Sequence, residues 1–268
     1  MIRTLGKIHG GKSYLSKFIV EQFPIKYTNM TYVEPFGGFA ATLTYKDKSL
    51  TEIYNELNPE IYWSFVALRL YPKQLHDSLL KVSFNKDNFD KAKVGGLAQG
   101  NSVILKRAVN EIVRRRFSRG GMGKDFGWSD RLRRGKPEYI SSWETFLNDI
   151  FPLLVKRFAD VIMTNQDGIS LIDKYSHKDV LLYADPPYLA VTRTHKTTYG
   201  QYEITRDQHE NLAYYCNQSK AKILISCYRS KEYDSWYKNW NKYEKVVANS
   251  SGQNKVKQKR TECLLTNF

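Results

Sequence analysis

The tetrapeptide Asp185-Pro186-Pro187-Tyr188 is the part of the sequence with the clearest potential for chemistry. It directly follows the apolar run Val180–Ala184, which predicts a buried strand. Ligands of open α/β sheets bind beyond the carboxyl ends of the strands. The two prolines fix their own φ and favour an extended conformation for Asp185. We therefore expect the Asp185 carboxylate and the Pro186 carbonyl to point outward side by side, next to the ring of Tyr188.

Such a pair of oxygen acceptors suits the amino group of adenine. The N6 lone pair is delocalised into the ring, so this nitrogen is a poor nucleophile. If Asp185 and the Pro186 carbonyl accept both N6 hydrogens, the lone pair is free to attack an electrophilic methyl group. Stacking on Tyr188 would add ~1–3 kcal/mol, and a paired base must flip out of the duplex to enter such a pocket. The alternative is a strand that ends in a proline-rich turn capped by Asp185.

A second candidate site is the glycine loop Glu34-Pro35-Phe36-Gly37-Gly38. Glycines let a backbone approach a ligand closely, and the start of the following helix offers free N–H groups. On its own, this loop could equally be a simple strand-to-helix turn.

Glu56 lies 22 residues after Glu34, at the end of a second predicted strand, Glu52–Asn55. A carboxylate ~20 residues beyond a glycine loop is placed to accept hydrogen bonds from ribose hydroxyls. The alternative is that Glu56 caps the helix that begins near Pro59.

A basic segment lies between Lys106 and Lys136, with eleven Lys or Arg and three acids interleaved with Phe117, Phe126 and Trp128. Arginine can bind phosphates or read guanine edges, and aromatic rings can fill the space left by a flipped base. The alternative is a solvated basic face, and no single arginine is assigned to a base. The predicted DNA-binding residues are Arg114, Arg115, Arg116, Arg119, Lys124, Arg131, Arg133 and Arg134.

The elements that would position these residues follow an α/β order. Predicted strands end at Val33, Asn55, Met163, Ala184, Ser226 and Thr266, and helices are expected at 40–43, 59–71, 169–175 and 207–218. Residues 84–145 are polar and weakly periodic, with one helical pattern from Val103 to Ile112. The prediction is an α/β catalytic domain, residues 1–60 and 155–268, with residues 61–154 inserted as a mainly helical recognition domain.

The order of these motifs resembles the alpha group of DNA adenine-N6 methyltransferases, the Dam-like enzymes. Their pattern is a Gly-Gly-Lys, a Glu-Pro-Phe glycine loop, an acidic ribose-binding residue, a recognition domain and then Asp-Pro-Pro-Tyr. Here it spans nearly the whole chain, beginning with Gly10-Gly11-Lys12. The resemblance implies a Rossmann-like fold, S-adenosylmethionine as cofactor, and methylation of N6 of a flipped adenine in double-stranded DNA.

The resemblance also implies a set of cofactor-binding residues. Lys12 would contact the methionine carboxylate, the backbone near Ile8 would line the same pocket, and Asp167 would face the adenine amino group of the cofactor. Asp167 could alternatively belong to a surface turn. The full predicted set is Ile8, Gly11, Lys12, Glu34, Pro35, Phe36, Gly38, Glu56, Asp167 and Asp185, with Asp185, Pro186 and Tyr188 as catalytic residues.

The sequence departs from the family pattern at three places. Ala40 stands where the family usually has a second glycine, and Glu56 replaces an aspartate. Ser226-Cys227-Tyr228 stands in place of an Asn-containing motif, so no catalytic role is predicted there.

Composition fits this interpretation without proving it. The formal net charge of +15 favours a polyanionic partner such as DNA. The three cysteines lack metal-ligand spacing, so we expect buried free thiols and no metal. No signal peptide or membrane span is predicted, which favours a cytoplasmic protein. The resemblance implies a bacterial, phage or mobile-element context.

Rival interpretations remain at this point. Residues 6–13, GKIHGGKS, fit the phosphate-loop pattern of an NTPase, with Ile2–Leu5 as its opening strand. A catalytically silent DNA-binding relative would have the same basic segment. Cytosine-N4 and RNA adenine-N6 methyltransferases are further competitors, although they more often carry Ser or Asn at the position of Asp185. The recognised DNA site, a role in restriction or elsewhere, and the oligomeric state are left open.

Overall fold

The computed structural model of the protein describes residues 3–8, 10–98, 100, 102–129, 131–133, 135–193, 199–248 and 259–268. It divides into two compact units. The first unit comprises Met1–Phe23, Gly38–Asp47 and Asn58–Asn165, and the second comprises Pro24–Gly37, Lys48–Leu57 and Gln166–Phe268.

The described residues form nine strands and eleven α-helices. The strands are β1 (Thr31–Glu34), β2 (Thr51–Asn55), β3 (Leu132–Arg133), β4 (Lys136–Pro137), β5 (Ile162–Thr164), β6 (Val180–Ala184), β7 (Lys222–Cys227), β8 (Asn241–Ala248) and β9 (Lys259–Thr266). The helices are α1 (Ser16–Val20), α2 (Ala41–Tyr45), α3 (Pro59–Leu70), α4 (Pro72–Leu80), α5 (Lys86–Lys93), α6 (Val103–Arg116), α7 (Glu138–Thr145), α8 (Phe151–Phe158), α9 (Gly168–Lys174), α10 (Arg206–Gln218) and α11 (Lys231–Trp236).

The sheet of the second unit has six strands in the order β2-β1-β6-β7-β9-β8. Strands β2, β1, β6 and β7 are parallel, whereas β9 is antiparallel to both β7 and β8. Every residue of β6 is buried, as its apolar run predicts. The mixed α/β architecture with a mainly parallel sheet confirms the α/β part of the predicted fold class.

Helix ends in the second unit are set by side-chain caps. Asp167 begins α9 by accepting a hydrogen bond from the Ser170 N–H at 3.2 Å. Thr205 and Gln208 form a reciprocal capping box at the start of α10. Both helices were predicted within one residue of their observed bounds. Cys216, Cys227 and Cys263 are buried free thiols, as expected.

The first unit contains helices in the segment that looked weakly periodic. Helix α5 is lysine- and aspartate-rich, and it is stabilised by an Asn85 cap and by i,i+4 pairs such as Lys86 with Asp90. Asn58 caps α3 by accepting from the Glu60 N–H at 3.0 Å. The capping alternative for Glu56 is therefore wrong. Among the described residues, none of the helices has the length and apolar character of a membrane span.

Candidate active site

Three of the predicted acids lie at one edge of the sheet in the second unit. Glu34 is the last residue of β1, Glu56 directly follows β2, and Asp185 directly follows β6. Because β1 is parallel to both neighbours, with Val33 opposite Leu182 and Glu34 opposite Tyr54, the carboxyl ends of the three strands meet there. This is the edge at which ligands of such sheets bind.

Asn55 connects the loops at this edge, and sequence reasoning missed it. Its side-chain amide donates to the Pro35 carbonyl at 2.8 Å and to the Gln166 carbonyl at 2.9 Å. Its side-chain oxygen accepts from the Gln166 N–H at 3.0 Å, and its backbone carbonyl accepts from the Gly37 N–H at 2.8 Å. The fully buried Asn55 thereby holds the glycine loop beside the segment that contains Asp167. The available signal was a polar residue at the end of the predicted strand, directly before Glu56.

Gly168 allows these two loops to approach closely. A Cβ at this position would lie 2.7 Å from the Phe36 ring and 2.8 Å from the Pro35 carbonyl oxygen. Glycine is required here because any side chain would displace the loop. Pro35, Phe36 and Asp167 are thus brought together, as a shared cofactor site requires.

Glu34 is 2% exposed, and the Tyr32 hydroxyl donates to its Oε2 at 3.0 Å. Burial, with the charge of Glu34, raises the pKa of Tyr32 well above its ordinary value. Tyr32 therefore stays a hydrogen-bond donor, which fixes the direction of the Glu34 carboxylate.

Tyr188 is only 6% exposed, although it lies three residues after the half-buried Asp185. Its hydroxyl donates to Glu262 Oε2 at 3.0 Å, and its ring meets that of Tyr228 edge to face at 4.6 Å. Burial, followed by the charges of Asp185 and Glu262, raises the pKa of Tyr188. Stacking of Tyr188 on a base stays a prediction. Tyr228, from the segment given no catalytic role, belongs to the same aromatic group.

Tyr199 is a further aromatic neighbour of Asp185. Burial and then the Asp185 charge raise its pKa, and its backbone N–H donates to Glu203 Oε1 at 2.8 Å. Glu203 also binds Arg193, at 3.2 Å from Nη1. The polar sequence from Arg193 to Tyr199 also suggests a segment that closes over an extruded adenine. Residues 194–198 lie outside the described residues, so this stays a prediction.

His209 is a buried residue behind the Asp-Pro-Pro-Tyr turn. Its Nδ1 lies 3.2 Å from the Tyr233 hydroxyl. Burial lowers its pKa to about 4, partly opposed by a hydrogen bond with the Pro187 backbone. The imidazole is therefore neutral at physiological pH.

In the first unit, Gly10-Gly11-Lys12 forms a turn. The Gly11 N–H donates to the Ile8 carbonyl at 3.2 Å, and the buried Lys12 donates to the Gly10 carbonyl at 2.9 Å. Residues 3–5 form no strand, so the opening strand that a phosphate-loop NTPase needs is missing from the described part of this segment. This argues against the NTPase interpretation.

Two residues at the start of the segment Gly38–Asp47 have left-handed backbones. Gly38 has φ 51°, which glycine adopts readily, and Ala40 has φ 54° and ψ 46°. This conformation costs a residue with a Cβ roughly 1–2 kcal/mol. The departure from the family pattern at Ala40 is therefore a strained position.

Arg114, Arg115 and Arg116 are occupied by contacts within the first unit. Arg114 and Arg115 bind the buried Glu111, with Nε to oxygen distances of 2.8 and 2.7 Å. Arg116 donates to the carbonyls of Thr4 and Leu5 and lies over the Phe146 ring. These contacts give the three arginines structural roles, and their predicted DNA contacts stay predictions.

The exposed predicted cations of the first unit are Arg119, Lys124, Arg131 and Arg133. Arg134 lies outside the described residues. Trp128 is 59% exposed beside them and, with Arg119, lines a cavity of about 280 Å³. These residues, unlike the Arg114–Arg116 block, are available to a polyanion.

Comparison with known proteins gives a family match to part of the chain. Residues 129–251, a little under half of the chain, match the D12 class of N6 adenine-specific DNA methyltransferases. The matched span includes Asp185-Pro186-Pro187-Tyr188. No curated protein matches the chain. The match confirms the predicted resemblance to Dam-like enzymes and supports adenine-specific DNA methylation as the activity.

Proposed function

We propose that the protein uses S-adenosylmethionine to methylate N6 of an adenine that has flipped out of double-stranded DNA. The observation that carries the proposal is the position of Asp185, directly after buried β6 and at the same sheet edge as Glu34 and Glu56. The same edge would hold both the cofactor and the reacting base.

The residues at this edge fit the cofactor. Glu56 directly follows β2, where it can accept hydrogen bonds from ribose hydroxyls, and Asn58 rather than Glu56 caps α3. The close approach at Gly168 and the Asn55 bridge shape the backbone between Phe36 and Asp167 for the adenine moiety. S-adenosylmethionine would supply an electrophilic methyl group on a sulfonium.

Asp185 and the Pro186 carbonyl would accept the two hydrogens of the adenine amino group. This reduces delocalisation of the nitrogen lone pair into the ring and orients it towards the methyl group. As the N–C bond forms, the bond between the methyl group and the sulfonium sulfur breaks and leaves a neutral thioether. The amine also loses a proton, for which Asp185 would be the acceptor. The family match over Asp185 supports this role.

Residues 61–154 are proposed as the recognition domain inserted into a Rossmann-like catalytic domain of residues 1–60 and 155–268. The exposed cations and Trp128 support DNA contact by this segment. Phosphate contacts would account for affinity, and contacts to base edges for the sequence preference. A cytoplasmic, bacterial or phage setting and a place in restriction-modification are proposed from the resemblance to Dam-like enzymes.

The test is incubation with tritiated S-adenosylmethionine and unmodified genomic DNA, followed by nucleoside analysis. N6-methyladenine is expected from the wild type, and Asp185→Ala is expected to abolish it while retaining DNA affinity. Absence of labelled adenine from the wild type would refute the proposal and favour a silent DNA-binding relative. Full activity of Asp185→Ala would refute the catalytic assignment. Labelled ATP binding in a parallel assay would revive the NTPase interpretation.

A further inference from the structure

Glu262 is a charged residue buried next to the Asp-Pro-Pro-Tyr turn. Its side chain is 4% exposed, and it accepts the hydroxyl hydrogen of Tyr188 at 3.0 Å. Arg260 Nε lies 3.3 Å from its other oxygen, and the Arg260 guanidinium lies over the Tyr228 ring at 5.8 Å. Glu262, Arg260, Tyr188 and Tyr228 form one polar and aromatic group, which we term the Glu262 cluster.

The sheet register explains how Glu262 reaches this edge. Because β9 is antiparallel to β7, with Cys227 opposite Cys263, the early part of β9 lies beside the carboxyl end of β7. Neighbouring residues of a strand point to opposite faces. Cys263 and Leu265 pack into the hydrophobic core cluster, so Glu262 faces away from it, towards Tyr188.

Stability alone does not account for a carboxylate in this position. Removing the Glu262 carboxylate from water is costly, and its partner Arg260 is still 33% exposed. Replacement of buried charges by well-packed apolar residues is often neutral or stabilising. An apolar residue on this face of β9 would cover the Tyr188 ring equally well. An apolar residue could not, however, accept a hydrogen bond from the Tyr188 hydroxyl.

We propose that Glu262 is a positioning residue for methyl transfer, which holds the Tyr188 ring in place beside Asp185 through the hydroxyl hydrogen bond. The inference rests on the proposed function. Tyr188 is covalently linked to Pro186 through a single residue, so a fixed Tyr188 also fixes the carbonyl that accepts the second amine hydrogen. Arg260 balances the buried charge, and Tyr228 limits ring movement from the side.

The test compares Glu262→Leu, Glu262→Gln, Tyr188→Phe and the double variant Glu262→Leu/Tyr188→Phe in steady-state methylation. Glu262→Leu should lower kcat at least about tenfold with little change in KM for DNA, because positioning acts on the reacting geometry. Glu262→Gln should stay within about threefold of the wild type, since its amide oxygen can still accept from Tyr188. The double variant should be no slower than the slower single variant, since each single change already removes the same Tyr188–Glu262 hydrogen bond.

The control is Glu244→Leu on the neighbouring strand β8, where the side chain is 42% exposed. It should leave kcat unchanged. Thermal unfolding and S-adenosylmethionine affinity of each variant separate misfolding from mispositioning. Two outcomes would overturn the inference, provided that the wild type methylates adenine. One is a kcat of Glu262→Leu equal to that of the wild type, and the other is a loss in the double variant equal to the product of the two single losses. A wild type that forms no methyladenine would instead overturn the proposed function.

Discussion

Replacement of Asn55 should disrupt the sheet edge at which Glu34, Glu56 and Asp185 lie, although Asn55 itself has no proposed part in the reaction. Asn55→Ala removes three side-chain hydrogen bonds of 2.8, 2.9 and 3.0 Å in a fully buried setting. A typical bond contributes ~1 kcal/mol net, and each partner left unsatisfied in the interior costs ~1–3 kcal/mol. We therefore expect the free energy of unfolding to fall by about 3 kcal/mol.

The same change should weaken S-adenosylmethionine binding, because Asn55 ties the glycine loop to the segment of Asp167. Urea denaturation measures the stability, and isothermal titration calorimetry measures the affinity. Asn55→Asp is a nearly isosteric comparison that keeps an acceptor for the Gln166 N–H but cannot donate to either carbonyl. It should be at least as destabilising as Asn55→Ala, since a buried carboxylate would then face two carbonyl oxygens.

Asn241→Ala provides the matched control. The Asn241 amide makes an exposed hydrogen bond to the Phe268 carbonyl at 2.7 Å. Its loss should change stability by less than about 0.5 kcal/mol. If Asn55→Ala were as mild as this control, or if it left cofactor affinity intact, the account of the Asn55 bridge would be wrong.

Three further predictions follow from individual side chains. The pKa of His209 is lowered to about 4, so its neutral form contributes stability that is complete above pH 6.5 and is lost as the pH falls towards 4. At pH 5 the loss should be about 2 kcal/mol. The free energy of unfolding should therefore fall less between pH 7 and pH 5 in His209→Gln than in the wild type. Arg116→Ala should cost about 2 kcal/mol of stability because two buried carbonyls lose a charged donor, whereas Arg133→Ala should leave stability intact and lower the salt slope of DNA binding by about 1 if Arg133 contacts a phosphate. Ala40→Val should destabilise by about 2 kcal/mol in thermal unfolding, while Ala40→Gly should change stability by less than about 1 kcal/mol, because relief of the left-handed strain offsets the loss of a buried methyl.

The central strands could be predicted because they consist almost entirely of apolar residues, which indicates burial on both faces. Residues 180–184 and 222–226 are apolar runs, and the structure has strands at both. Strand β8 was missed because Lys242, Glu244 and Lys245 interrupt its apolar pattern. It lies at the edge of the sheet, paired only with β9 in the described strand order, where charged side chains remain exposed.

Some contacts of Arg114–Arg116 could have been predicted from their spacing in the sequence. Glu111 stands three and four residues before Arg114 and Arg115, which is the spacing of ion pairs on one helix face. This signal was present in the sequence and favoured a structural role. The direction of Arg116 towards Thr4 and Leu5 had no such signal, because those contacts join residues more than 100 positions apart.

The same limit applies to the candidate site. The motif order predicted Glu34, Glu56 and Asp185 because each follows a strand that could be recognised. Asn55 and Glu262 act through hydrogen bonds to residues 111 and 74 positions away, respectively. Only the register of the folded sheet defines such partners.

The antiparallel placement of β9 has a consequence for the order in which the protein matures during synthesis. Strand β9 lies between β7 and β8 but is translated after both of them. Until it emerges from the ribosome, β7 lacks one hydrogen-bonded neighbour, β8 lacks its only partner among the described strands, and the Tyr188 hydroxyl has no Glu262 to bind. In a chain whose synthesis has not yet reached β9, the parallel strands β2, β1, β6 and β7 are already present, but the candidate site lacks the Glu262 carboxylate.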